Sequence, residues 1–366
     1  MICGTPGSGT TYNPRRLREA NVRHRIRVLW CGGAIVGSVA VLVLPERALG
    51  QVISKTTKAW TPPRTPDGQP EMQGTWLSKS ATPLERPKAL EGKALLTDDE
   101  VAQLKARAER IFGSGNADFA AGDGVFMAAL ANPDKFTSVT ATSGSSEMID
   151  REFDHHTSLV VDPPDGHIPP LTVQAQRRRE AAAAAARRPD GPEDYDNAIR
   201  CISWGVPRLG GRYGAGDLGY YQIIQSPGYV VLFMETGHEA RIIPLDGRPS
   251  LRPGVGLLSG DSRGRWEGNT LVIETANFSP RSNFMGSSEN LQLTERLTRV
   301  APDTIIYQMT LRDPTTWSQP WSAEMPLRLT NESLYESACH EGNTPVITGM
   351  LSGARAQETR DQAIPR

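Results

Sequence analysis

Between residues 220 and 341, apolar and polar residues alternate with a period of two, which is typical of β-strands that have one covered face. The pattern predicts about eight strands, the last at 334–341. Most of the connections are short turns such as Glu267-Gly268-Asn269 and Ala301-Pro302-Asp303. Strands joined in this way pair antiparallel, so we expect a mainly β fold whose meander closes into a barrel. An open sandwich is the alternative.

The N-terminal half alternates less regularly and contains two helical patterns. Thr97 and Glu100 have the spacing of a capping box before a helix over 98–112. The alanine-rich segment 173–188 has high helix propensity. Its arginines are not interleaved with aromatic residues, which favours a solvated helix over a nucleic-acid site. We therefore expect a helical insertion at about 95–200, between a first strand around Trp76 and the meander.

The chain ends differ in character from this body. Residues 1–50 hold a basic cluster, an apolar run and small residues before Gln51, which predicts an export signal, with an N-terminal membrane anchor as the alternative. Residues 51–70 are rich in proline and threonine and are expected to form an arm. Residues 71–355 are expected to form one barrel domain, and 356–366 a disordered tail. A periplasmic or secreted protein follows, with no membrane association after cleavage.

Charge and cysteine content narrow the functional classes. The formal net charge is −1, so nothing indicates a nucleic-acid partner. Cys3 and Cys31 leave with the predicted signal, and Cys201 and Cys339 remain. Two cysteines in an oxidising compartment usually pair, so we expect a disulfide between them, with two free thiols as the alternative.

Short motifs resemble known groups of proteins. Gly74-Thr75-Trp76 on a first strand, followed by an antiparallel meander, resembles the lipocalin and calycin barrels. This resemblance implies that Trp76 closes one end of the barrel. Blocks such as "YYQIIQSPGYVV" and "GDSRGRWEGNTLVIETANF" also resemble a broad group of exported, functionally unassigned proteins of environmental bacteria. That second resemblance implies no catalytic residue.

The candidate catalytic residues are ionisable groups expected inside the barrel. Glu295 shares one strand face with leucines at 291, 293 and 297 and should therefore point inward. A buried carboxylate needs a partner, and Arg241 and His340 are the candidates. Burial raises the pKa of a carboxyl and lowers that of a histidine, which suits acid–base catalysis near neutral pH. The predicted catalytic set is Glu295, His340, Arg241 and His238, and a purely structural Arg–Glu pair is the alternative.

The candidate binding residues are aromatic or polar side chains expected near the same interior: Tyr307, Trp317, Trp321, Glu274 and Asn277. Tyr307 shares a face with Ile305 and Met309, and the two tryptophans lie in a proline-rich connection. Aromatic residues at a barrel mouth bind flat, apolar molecules. Core packing is the alternative for most of them.

Metal and cofactor sites are not indicated. The histidines are too scattered for a local ligand motif, and adjacent His155 and His156 would point to opposite faces of a strand. The G-x-G-x-x-G match at 214–219 precedes a strand where a phosphate site needs a helix. The G-x-S-x-G match at 260–264 precedes a hairpin, not the strand-to-helix turn of a nucleophile elbow. We expect no metal and no cofactor.

Together these patterns predict an exported β-barrel that acts as a cofactor-independent acid–base enzyme of lyase, isomerase or hydrolase type. Its substrate would be an apolar or aromatic small molecule. The alternatives are a periplasmic protein that binds such a molecule without transforming it, and a structural role at the cell envelope that needs no pocket.

Overall fold

The computed structural model describes residues 60–113, 123–137, 151–208, 219–252, 254–282, 284–336 and 338–363. The predicted signal, residues 51–59 of the arm and residues 214–218 of the G-x-G-x-x-G match lie outside these residues. The strands are β1 Gly74–Leu77, β2 Val160–Asp162, β3 Tyr220–Ser226, β4 Tyr229–Met234, β5 Glu239–Pro244, β6 Asp261–Glu267, β7 Thr270–Ala276, β8 Gln292–Ala301, β9 Thr304–Arg312 and β10 Trp321–Thr330. The α-helices are α1 Asp98–Phe112, α2 Gly124–Ala131, α3 Val173–Arg187 and α4 Asn343–Ala363.

Nine of the strands form one antiparallel path that nearly closes into a barrel, in the order β5-β4-β3-β1-β10-β9-β8-β7-β6. Two hairpin series, β3 to β5 and β6 to β10, make up most of the path. Strand β1 joins them, because Trp76 pairs with Tyr221 of β3 on one side and with Leu329 of β10 on the other. The predicted meander is thus confirmed, with the first strand placed inside it.

The strand predicted at 334–341 is not formed, and residues 356–363 of the predicted tail belong to helix α4. The described residues between 331 and 342 carry no strand, and α4 extends through Ala363. The physical reason lies in β10. One edge of β10 pairs with β9, while its other edge pairs with β2 and β1. No edge of β10 is left for a following strand.

The two ends of the strand path, β5 and β6, meet at a seam that side chains hold together. In the described residues no backbone ladder joins these two strands. Gly264 of β6 lies so close to β5 that an added Cβ would sit 2.8 Å from Ile243 Cγ2 and 2.6 Å from Leu245 Cδ2. A larger residue at 264 would require the side chains of Ile243 and Leu245 to shift. Across the same seam, Arg241 Nη2 donates to Ser262 Oγ at 3.0 Å.

The inward faces of the strands form the main apolar core, which includes the fully buried Trp76. The Trp76 indole Nε1 donates to the Met72 carbonyl at 2.9 Å. The Arg299 guanidinium lies over this ring, 5.3 Å from its centroid, and 5.7 Å from that of Trp60. Trp76 is therefore held on its face, by its polar edge and by the surrounding core.

Helices α1 and α3 lie outside this core. Helix α1 begins with the predicted capping box between Thr97 and Glu100 and packs with α2 and Phe153 in a second apolar cluster. Helix α3 buries only Ala175, which confirms the prediction of a solvated helix. Across the described residues, none of the helices combines the length and the apolar character that a membrane span requires.

The predicted disulfide between Cys201 and Cys339 is present, with the two Cα atoms 5.8 Å apart. It joins the segment that precedes the barrel hairpins to the segment that precedes α4. The bridged residues are 138 positions apart in the sequence. Such a long loop loses much chain entropy when it is closed in the unfolded state.

Replacing both Cys201 and Cys339 by serine is expected to lower the free energy of unfolding by about 2–4 kcal/mol, because the unfolded chain regains that entropy. Urea denaturation of the oxidised wild type and of the double variant measures the difference. Adding a reductant to the wild type should produce the same loss and should leave the double variant unchanged. Equal stability of the oxidised wild type and the double variant would contradict this prediction.

Candidate functional site

The sequence-predicted interior residues Arg241, Glu295 and Tyr307 meet in one buried network, here called the interior cluster, together with Ser262 and Thr275. Arg241 Nη1 donates to Glu295 Oε1 at 2.9 Å, and Arg241 Nη2 donates to Glu295 Oε2 at 2.6 Å. This parallel pair is the strongest geometry available to an arginine and a carboxylate. The Tyr307 hydroxyl donates to Glu295 Oε1 as well.

The same guanidinium also reaches the far side of the barrel seam. Arg241 Nη2 lies 3.0 Å from both Ser262 Oγ and Thr275 Oγ1, and these two hydroxyls are 2.9 Å apart. The five members come from five different strands, β5 to β9. The interior cluster thus ties β5 to β6, β7 and β8, next to the place where the backbone ladder is interrupted.

Burial governs the electrostatics of the interior cluster. Glu295 is 0% exposed and Arg241 only 6% exposed. Burial disfavours the charged form of Arg241, but the Glu295 charge and its hydrogen bonds outweigh this effect and raise the guanidinium pKa. Burial and then the Glu295 charge raise the pKa of the Tyr307 phenol well above its usual value. Arg241 therefore stays charged and Tyr307 stays a neutral donor.

The predicted catalytic histidines lie at the surface. His238 is exposed in the turn before β5, with a φ of 51°, and its ring packs edge-on against Phe233 at 5.6 Å. His340 is exposed in the stretch before α4. The strand expected there is absent, so strand alternation says nothing about the direction of His340. Glu295 and Arg241 are paired as predicted and are buried, whereas the two histidines are exposed.

The predicted binding residues separate into buried and exposed groups. Trp317 and Trp321 are buried and pack edge to face, with their centroids 5.6 Å apart, as parts of the core. Glu274 is exposed and lies 3.1 Å from Arg265 on the outer face of the barrel. Asn277 follows β7 with a φ of 54° and donates to the Leu251 carbonyl at 3.2 Å. Only Tyr307 belongs to the interior cluster.

A second polar constellation, which sequence reasoning missed, lies outside the barrel. The segment 152–159 runs beside β10, since the Glu324 backbone N–H donates to the Leu159 carbonyl at 2.9 Å and Arg328 Nε donates to Glu152 at 2.6 Å. Between the segment and the strands lies a cleft of about 230 Å³, here called the outer cleft. It is lined by Glu152, Phe153, Asp154, His155, His156, Leu159, Thr304, Ile306, Glu324, Pro326 and Arg328.

His156 and Asp154 form a dyad at the outer cleft. His156 Nδ1 lies 3.3 Å from Asp154 Oδ1, and the backbone N–H of His156 donates to the same oxygen at 2.7 Å. The Thr82 hydroxyl, 3.2 Å away, donates to this oxygen too. An ionised carboxylate only accepts hydrogen bonds, so the neutral imidazole carries its proton on Nδ1. Nε2 of His156 has no hydrogen-bond partner among the described residues.

The dyad shifts the pKa values of both of its members. Burial opposes ionisation of Asp154, but hydrogen bonds from the side chain and backbone of His156 outweigh it, so the carboxyl pKa is lowered. The hydrogen bond to Asp154 raises the pKa of the His156 imidazole, burial opposes the rise, and the charges of Asp154 and Glu324 add to it. Asp154 is thus an anion that holds and stabilises an imidazolium.

The sequence carried one signal for this dyad, which is the clustering of three titratable residues in 154–156. The adjacent histidines do diverge: His155 Nε2 lies 2.8 Å from Asp98 Oδ1 of α1, whereas His156 turns to Asp154. Among the described residues no group of three or more His, Cys, Asp or Glu side chains is arranged to hold a metal ion. Comparisons with protein-family models, with curated proteins and with solved structures found no match, so the roles of these residues rest on their geometry.

Proposed function

We propose that this protein is a cofactor-independent acid–base enzyme that acts on an apolar or aromatic small molecule in the outer cleft. The observation that carries this proposal is the His156–Asp154 dyad on the wall of a cleft whose apolar lining includes Leu159, Ile306 and Pro326. Glu295 has no exposed surface and spends both carboxylate oxygens on Arg241. His156, and not Glu295, is therefore the proposed catalytic base.

In the proposed mechanism His156 Nε2 takes a proton from a bound substrate or from a water molecule. Asp154 keeps the proton on Nδ1 and stabilises the imidazolium that forms, and the imidazolium then returns its proton to the product or leaving group. The active form is the neutral imidazole. Because the pKa of His156 is raised, the rate should rise with pH through a range above the ordinary histidine value. The Asp154 carboxyl, whose pKa is lowered, stays ionised over that range.

The setting of this site is part of the proposal. A lipocalin-like barrel is supported by the nearly closed meander and by the buried Trp76 on β1. Export to the periplasm or the medium is supported by the Cys201–Cys339 bridge and by the signal-like composition of residues 1–50. A reaction that needs no diffusible cofactor is compatible with an exported enzyme.

Replacing His156 by glutamine is expected to lower turnover of a responsive substrate by about 100-fold, because a general base is lost. The protein is first screened against uncharged aryl esters and enolisable aryl ketones, and the two forms are then compared on any substrate that turns over. His167→Gln is the matched control, since its side chain is 41% exposed against 45% for His156 and it too has a carboxylate neighbour, Glu85. His167 does not line the outer cleft.

A second measurement needs no substrate. The pKa of His156, measured by NMR titration of its imidazole, should be lower in Asp154→Asn than in the wild type. On a responsive substrate, the pH profile of turnover should move in the same direction. Equal turnover by His156→Gln and wild type on every responsive substrate would overturn the assignment of the base. An unchanged His156 titration in Asp154→Asn would overturn the dyad.

One observation favours the second candidate, a protein that binds the molecule without transforming it. Proton abstraction next to a carbonyl and ester hydrolysis both develop negative charge on oxygen, which a nearby cation stabilises. The arginine that lines the outer cleft, Arg328, donates to Glu152 at 2.6 Å and to Thr304 at 2.5 Å. Arg328 is thus already engaged by protein groups. A protein that only binds its ligand does not need a cation to stabilise developing negative charge.

A further inference from the structure

We propose that the ligand of the outer cleft is a small organic cation, a protonated or quaternary amine carried on a single flat apolar ring. This inference rests on the proposed function, because it names the substrate class of the same cleft. It applies equally to the catalytic and to the binding form of that function.

The first support is the balance of charge around the outer cleft. Its lining holds three carboxylates, those of Glu152, Asp154 and Glu324, against the guanidinium of Arg328. With His155 and His156 both neutral the net formal charge is therefore −2, and with His156 alone protonated it is −1. An anionic ligand would face repulsion in either state, whereas a cation reduces the excess negative charge.

The second support is that one of these carboxylates has no cationic partner. Arg328 pairs with Glu152, and His156 pairs with Asp154. Glu324 accepts a hydrogen bond at 2.6 Å from the neutral Gln308 amide on Oε2, and no salt bridge to it is formed among the described residues. Its Oε1 is left to accept from a ligand ammonium, and such a charge-assisted hydrogen bond is stronger than a neutral one.

The third support is the shape and chemistry of the apolar lining. Ile306 of β9 and Pro326 of β10 project from the outer face of the barrel, where their neighbours Gln308 and Glu324 are polar, and Leu159 of the segment 152–159 completes the apolar surface. The cleft volume of about 230 Å³ is below the range of about 300–1,000 Å³ that is typical of sites for drug-sized ligands. One ring with a short amine matches this volume.

The experiment compares three probes of one shape at pH 8: 2-phenylethylamine, the neutral 2-phenylethanol and the anionic 3-phenylpropanoate. Affinity for the full-length exported chain is measured by calorimetry or by NMR shift titration. The amine is expected to bind most tightly and the carboxylate most weakly. Glu324→Gln should weaken amine binding by roughly 5- to 10-fold, as expected for one partly solvated charge-assisted contact, and should leave 2-phenylethanol unchanged.

The matched control is Glu274→Gln, which removes an exposed carboxylate from β7 on the outer face of the same barrel and away from the outer cleft. It should change none of the three affinities. The proposal is overturned by equal or tighter binding of the neutral or anionic probe, by no binding of the amine, or by an amine affinity that is indifferent to Glu324→Gln. Failure of the proposed function would be seen in a different measurement, because turnover would then be the same in His156→Gln and in the wild type.

Discussion

Replacing Glu295 by glutamine should lower the free energy of unfolding by about 3–5 kcal/mol, the loss expected when one member of a buried ion pair is removed. Glutamine keeps the shape of the side chain but not the charge. Arg241 would then remain charged and only 6% exposed without a carboxylate partner, and its Nε already lacks a hydrogen-bond partner in the described residues. Because Arg241 also bridges the β5–β6 seam through Ser262, the loss should extend to the closure of the barrel.

Urea denaturation measures this loss, with Glu274→Gln as the control. Glu274 pairs with Arg265 at an exposed site, where removal of one partner should change stability by no more than about 1 kcal/mol. A second variant keeps the test informative if Glu295→Gln does not fold. Replacing Arg241 by methionine and Glu295 by leucine together removes both charges, so the double variant should be more stable than Glu295→Gln. A Glu295→Gln loss no larger than that of Glu274→Gln would contradict the role of the interior cluster.

Replacing Trp76 by alanine should also cost about 3–5 kcal/mol, the usual range when a fully buried tryptophan is truncated. The change would leave a cavity between β3 and β10 and would leave the Met72 carbonyl without its donor. The Arg299 guanidinium would lose one of the two aromatic faces that it contacts. Trp76→Phe retains a ring in the core, so a smaller loss is expected from it.

Thermal and urea unfolding of Trp76→Ala are compared with those of Trp266→Ala. Trp266 lies on β6, far from β1 in the strand order, and is only partly buried against the core. Its removal should therefore cost less than the removal of Trp76. The same loss from both variants would show that Trp76 has no special role in joining the two hairpin series.

Local patterns were sufficient for much of the fold. The two-residue alternation over 220–330 predicted the hairpins, and it also predicted that Glu295 and Tyr307 face inward, because a strand side chain can point to only two faces. The capping box of α1 and the exposure of α3 were likewise readable, since both depend on residues a few positions apart. The Cys201–Cys339 pair followed from counting cysteines once the predicted signal was set aside.

Contacts between distant segments were not readable in the same way. The pattern at 334–341 suits a strand, yet β1, more than 240 residues earlier, takes the edge of β10 that such a strand would need. The outer cleft is a similar case. Asp154 and His156 gain their setting because 152–159 lies beside residues of β9 and β10, some 150 residues later in the chain.

The sequence alone therefore determined the strands between 220 and 330, the inward direction of Glu295 and Tyr307, and the pairing of Cys201 with Cys339. Only the tertiary structure decided which strands neighbour β10 and that His238 and His340 are exposed. It alone also placed a histidine–carboxylate dyad beside an open cleft. The physical reason is that alternation encodes the two faces of a strand. It carries no information about which distant strand or segment lies against an edge or an outer face.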